Sequence, residues 1–192
     1  MKSVLPRPTE LARTWIQQVL REGDVAIDAT VGNGHDTLFL AGCVGATGRV
    51  IGFDIQQSAI ESARNLLREN GAMVSNVDFH CMSHAKMPDV VTSSVRAVMF
   101  NLGYLPGADH SLITKVAETI PALLAASSLL SAGGLITIVC YPGHPGGEEE
   151  MRAVIEWASH LDSGWQVAKY EKLGTLKLAP VLLGIHKTGG GV

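Results

Sequence analysis

The stretch VAIDATVGNGHDT, Val25 to Thr37, decides how the rest of the chain reads. VAIDAT (25–30) is a short apolar run bounded by glycines and reads as a buried strand, while Asp36 to Val44 continues as a helix. Gly32 and Gly34 therefore sit in a strand-to-helix turn, where backbone amides at a helix start are open to a ligand. A lone Gly-x-Gly also suits an ordinary tight turn, so its neighbours must sharpen the reading. A dinucleotide site needs a third glycine where Thr37 stands and a helix start without negative charge, where Asp36 stands. NAD and FAD are disfavoured.

Working outward, strand and helix alternate along the 192 residues. Thr9 to Arg21 carries apolar residues on one helical face, closed by Gly23. RVIGFD (49–54) is a second buried strand, and Ser58 with Glu61 forms a capping box for a helix that Gly71 stops. Asn76 to His80 and Val95 to Phe100 read as strands, and Thr119 caps a helix with Pro121 in its first turn, running to Ser131. LITIVCY (135–141) is a strand buried on both faces, and Glu148 to His160 is a helix with three glutamates in its first turn. Gln166 to Glu171 and Val181 to Lys187 follow as two successive strands. This order predicts a parallel α/β sheet with one antiparallel strand at the end, ligands binding beyond the strands' carboxyl ends.

Composition sets limits on function. Hydrophobic residues at 46% against 17% charged exclude disorder for most of the chain. A net charge of −3 offers no global reason to bind nucleic acid, so any such contact is local. Arg13 and Lys115 are among the scattered basic residues that could meet phosphates, and Lys115 is the preferred one. No apolar run is long enough for a membrane span, and the N-terminus lacks a secretory h-region. Cys43, Cys81 and Cys140 are too far apart for a zinc knuckle and read as buried thiols of a cytoplasmic protein. No metal is expected, the HCMSH run (80–84) lacking a second ligand cluster. The reading is one domain over residues 1–188, with an N-terminal helix, and a flexible tail at 189–192.

A ligand with both a carboxylate and an ammonium suits the opening loop. The helix start offers amides to the carboxylate, and Asp28 or Asp36 faces the ammonium. S-adenosylmethionine carries such an end, and its ribose diol needs an acceptor at the end of the next strand, where Asp54 stands with Gln56 just after it.

The runs DATVGNGHDTLFLA (28–41), GFDIQ (52–56), HCMSH (80–84), FNLGYLPGAD (100–109) and YPGHPGGEEE (141–150) together resemble the class I methyltransferases grouped as rRNA methylases. The resemblance implies a Rossmann-like fold, with a mostly parallel seven-stranded sheet, one antiparallel strand and helices on both faces. It implies S-adenosylmethionine as methyl donor, with contacts from Asn33, Asp36, Asp54, Gln56, Ser83 and His84. Ser83 and His84, past the third strand, are where this fold would hold the adenine. The family includes an enzyme that methylates the 5-aminomethyl group of wobble 2-thiouridine in tRNA. The expected partners are thus a tRNA anticodon loop and, in a homodimer, a second copy of the chain. Methylation of an rRNA base or a small-molecule amine is the rival, as is a non-catalytic donor-binding module.

Asn101 to Gly107 resembles the Asn/Asp-Pro-Pro-aromatic turn of amino-directed methyltransferases, with Leu102-Gly103 in place of Pro-Pro. In that role the Asn101 carboxamide accepts from an amine and aims its lone pair, and Tyr104 stacks on a base. Leu105, Pro106, Asp109 and Lys115 lie on the substrate side. The amine must lose a proton, and His144, Asp109 and the phenol of Tyr141 are the candidate acceptors. The span from Asn101 to Glu118 reads as an active-site lid. LGTLKLAPV (173–181) departs from the family in lacking its Asn-rich, double-proline stretch.

Overall fold

The computed structural model describes residues 4–72, 74–103, 114–174 and 178–189. Its elements are α1 (Pro8–Val19), β1 (Val25–Asp28), α2 (His35–Val44), β2 (Arg49–Asp54), α3 (Gln57–Glu69), β3 (Val77–Cys81), β4 (Val95–Leu102), α4 (Val116–Leu129), β5 (Leu130–Cys140), α5 (Gly147–Ser159), β6 (Trp165–Tyr170) and β7 (Val181–Lys187). Seven strands form one sheet in the order β3-β2-β1-β4-β5-β7-β6. All neighbours are parallel except β7, which runs antiparallel to both β5 and β6. The antiparallel strand is thus last in the chain but sits inside the sheet, one place from its edge.

Strand alternation builds two apolar layers. Val98 and Phe100 of β4 face one side with Ile27, Phe53 and Ile138, beneath Leu123 of α4 and Val154 of α5. Ala97 and Met99 face the other side with Ala26 and Val139, beneath Ile16 of α1, Leu40 of α2 and Leu67 of α3. Strand order reverses at β1, which pairs with β2 on one side and β4 on the other, and that switch point opens a crevice at the carboxyl ends.

Three local readings change. α4 begins at Val116, not at Thr119, which is buried inside the helix with its hydroxyl given to Glu150 Oε1 at 2.6 Å. Pro121 therefore falls in the second turn, on an exposed face, and the span after Asn101 becomes helical before Glu118. β5 starts at Leu130, where the helix was expected to continue, because the Ser131 hydroxyl donates to Val95 O and ties that stretch to β4. α3 begins at Gln57, so Ser58 caps nothing, and Glu61 accepts instead from Gln57 Nε2 at 3.2 Å. Cys81 is also exposed rather than buried.

Candidate functional site

β1 delivers Asp28, wholly buried, in register with Gly52 of β2 and Met99 of β4. Its Oδ2 accepts the Thr37 hydroxyl at 2.6 Å and its Oδ1 the Thr30 amide at 3.2 Å. Burial first, then the neighbouring charge of Asp36, pushes its carboxyl up to about 7. Asp28 thus ties the end of β1 to Thr30 and to Thr37 of α2. Gly32 and Gly34 both take left-handed backbone, at φ 51 and 83. Gly34 is also held by packing, since a Cβ there would lie 2.6 Å from Ala63 Cα. Asn33 between them is exposed.

Backbone bonds lock this loop to β2. Val31 N donates to Phe53 O at 3.0 Å, and Gly32 N donates to Asp54 Oδ2 at 2.9 Å. The other Asp54 oxygen accepts from Gln56 N at 2.9 Å, so only the backbone of Gln56 takes part in this bonding. Each carboxylate oxygen keeps a second lone pair for a further donor. Ile55, next in the chain, is 54% exposed, an apolar side chain displayed beside the acid. The sequence signal for it was an apolar residue continuing past the strand-ending acid.

His84 is buried, with Nδ1 3.0 Å from Ala29 O and its ring edge-on to Phe100. Burial lowers its pKa, so the ring is neutral and Nδ1–H donates, propping the loop from behind. Ser83 accepts from Ala85 N and donates to Glu118. His80 stacks on Phe53 and Cys81 Sγ lies 3.6 Å from Ile55 O, so HCMSH spreads its side chains over separate environments. Among the described residues no three His, Cys, Asp or Glu side chains are placed to hold a metal ion.

Asn101 ends the other wall, its amide donating to Thr30 Oγ1 at 2.7 Å. Its Nδ2 donates to Asp36 Oδ2 at 2.5 Å, while Asp36 Oδ1 accepts from Arg13 Nε at 2.6 Å. A carboxylate only accepts, so the carboxamide has one orientation and Oδ1 must face away from Asp36. That Oδ1 is buried and has no hydrogen-bond partner among the described residues. Asp36, expected to meet the ammonium, thus has a partner at each oxygen. Arg13 is one of several basic residues scattered along the sequence, and its partnership with Asp36 spans two helices and leaves no local pattern.

Tyr141 follows β5 with its amide on Leu102 O at 3.3 Å. Burial and then the charge of Asp36 raise its phenol, which keeps its proton at neutral pH and is removed as a base. His144 Nδ1 lies 3.0 Å from Pro145 O, and a carbonyl only accepts, so this nitrogen carries a proton. A Cβ on Gly103, two residues past Asn101, would lie 3.6 Å from His144 Nε2. An open cavity of about 580 Å³ lies beside His144, rimmed by Val116, Glu148, Glu149 and Arg152. Lys115 is exposed at the start of α4. Tyr104, Leu105, Pro106 and Asp109 lie outside the described residues, as does the tail from residue 190. No helix among the described residues is long and apolar enough to cross a membrane.

With this geometry in view, residues 50–186 match the family model described as "Putative rRNA methylase". The chain belongs to this family. A curated relative, the chloroplastic tRNA (mnm5s2U34)-methyltransferase of Arabidopsis thaliana, is 42% identical over 194 residues, covering 94% of this chain and 69% of that one. A crystal structure under the family's own description, from Clostridium thermocellum, superposes with a TM-score of 0.93 at 38% identity, covering 96% of this chain and 100% of that one. A "putative methyltransferase" from Streptococcus mutans in complex with SAH gives 0.87 at 35% identity, covering 96% and 99%. The rRNA methylase match confirms the Rossmann-like class I fold. It begins in β2, so Arg13 and Asp36 lie before the matched span.

Proposed function

We propose that this S-adenosylmethionine-dependent methyltransferase N-methylates the 5-aminomethyl group of wobble 2-thiouridine in tRNA. Support for the tRNA substrate comes from the relative of that name at 42% identity. The residues present suit the donor. Asp54 retains lone pairs for the ribose hydroxyls, Ile55 offers an apolar surface for the adenine, and the start of α2 after Gly34, which no side chain caps, presents backbone amides to the carboxylate. When bound, S-adenosylmethionine supplies an electrophilic methyl on its sulfonium.

The chain's own residues then orient and deprotonate the amine. The carrying observation is the buried Oδ1 of Asn101, without a partner among the described residues and fixed in direction by Asp36. It accepts one amine N–H and aims the nitrogen lone pair into the crevice. An alkylamine has an ordinary pKa of roughly 10, and partial desolvation lowers it. His144, beside the open cavity, takes the released proton. Tyr104 is assigned the stacking role and Lys115 a phosphate contact.

The test incubates the purified chain with methyl-labelled donor and total tRNA, rRNA or an amine metabolite pool, followed by nucleoside mass spectrometry. Label on the wobble uridine of tRNA is expected. Label in rRNA or small amines alone overturns the substrate, and binding without transfer to any pool overturns catalysis.

A further inference from the structure

We infer that Arg13 is a positioning residue for the transfer step, acting through Asp36 to hold Asn101 in its working orientation. The inference rests on the role given to Asn101 above. Arg13 lies on α1, whose Ala12 and Ile16 are buried against the sheet, so the backbone that carries it is set by the core. Its guanidinium lies over the Phe39 ring at 5.7 Å and donates through Nε to Asp36 Oδ1. Asp36 is buried, as is the carboxyl of Asp28 beneath the same loop. A buried carboxylate without a counter-charge is unfavourable, and a second acid nearby makes it more so. Arg13 removes that penalty, and the opposite carboxylate oxygen is left to grip the Asn101 amide at 2.5 Å. Without the guanidinium, Asp36 turns toward water and Asn101 is no longer confined to one amide orientation. The N-terminal helix, far from Asn101 in sequence, thereby finishes the amine's binding geometry.

Two measurements test this on the full chain. In 15N-labelled protein, the Asn101 side-chain NH2 resonances are assigned by their loss in Asn101→Ala. Arg13→Met is expected to shift or broaden them, and Arg13→Lys to restore them in part. With tRNA bearing the unmethylated aminomethyl group, Arg13→Met is expected to lower kcat on the order of 10- to 100-fold, because a misaimed nucleophile is slow. The KM for tRNA and the Kd for adenosylhomocysteine stay at their wild-type values. A loss appearing in KM for tRNA marks a phosphate contact, and one in Kd marks a donor contact; either overturns the inference, as do unmoved amide resonances. If wild-type protein transfers nothing to tRNA, the substrate reading fails, while the resonances still decide the Arg13 relay. Should Arg13→Met not fold, Arg13→Gln is read by the same observables.

Discussion

Oδ2 of Asp28 accepts the hydroxyl of Thr37 at 2.6 Å, with both residues fully buried. Thr37 stands where a dinucleotide loop needs its third glycine, and here the extra side chain binds an acid that has no access to water. The fold thus carries a carboxyl that burial pushes from 3.8 to about 7. In the folded chain this acid keeps a proton that the unfolded chain has already released. Its contribution to stability is full below pH 3.8, declines as pH rises, and is gone above about 7. Asp28→Asn removes that slope. Urea unfolding at about pH 5 and about pH 8 should show wild type losing stability relative to the variant at the higher pH. A difference independent of pH would show that the carboxyl is not raised.

Gly34→Ala should destabilise the chain and loosen the donor loop together. The left-handed φ of 83 costs a side chain roughly 1–2 kcal/mol. Overlap with Ala63 of α3, 2.6 Å from the new Cβ, adds about 1–3 kcal/mol. The urea midpoint should fall with the m-value unchanged.

Glu150 joins the start of α5 to both ends of a neighbouring turn. It accepts the hydroxyls of Thr114 at 2.7 Å and Thr119 at 2.6 Å, and Thr114 N closes on Gly103 O at 2.9 Å. Glu150→Ala strands two hydroxyls and should cost about 2–4 kcal/mol, whereas Glu150→Gln keeps an acceptor and should cost under about 1 kcal/mol. Activity should follow the same order, because Gly103 lies two residues from Asn101.

Burial and the charge of Glu150 push the Cys140 thiol up to about 12, while Cys81 is exposed. A thiol reagent near neutral pH should modify Cys81 first and reach Cys140 only on unfolding. Rapid labelling of Cys140 in native protein would contradict the packing of β5.

Asp54 and Asn101 should separate binding from chemistry. Asp54→Ala removes the acceptor for Gly32 N and Gln56 N, and calorimetry should find adenosylhomocysteine bound on the order of 10- to 100-fold more weakly. Asn101→Ala should leave that affinity unchanged and lower kcat about 100-fold or more. Equal losses of donor affinity in both variants would refute the division of roles.

Legibility tracks the range of the interaction that decides each residue. β7 at 181–187 and the acid ending RVIGFD declare themselves through local apolar runs, because a strand buried on both faces admits few other residues. The start of α4 did not, because Thr119 looks like a cap while its hydroxyl is claimed by Glu150, a partner from another helix. Likewise the motifs brought Asp28, Asp36 and His84 to the right end of the sheet but did not say which would face a ligand. Tertiary packing gave Asp28 the Thr37 hydroxyl, His84 the Ala29 carbonyl, and Asp36 both Arg13 and Asn101. The sequence by itself determined the alternation, the turn and the family, since these depend on neighbours along the chain. Only the folded structure decided the Arg13–Asp36–Asn101 arrangement, because burial and hydrogen-bond direction are set by groups that the chain brings together from α1, α2 and β4.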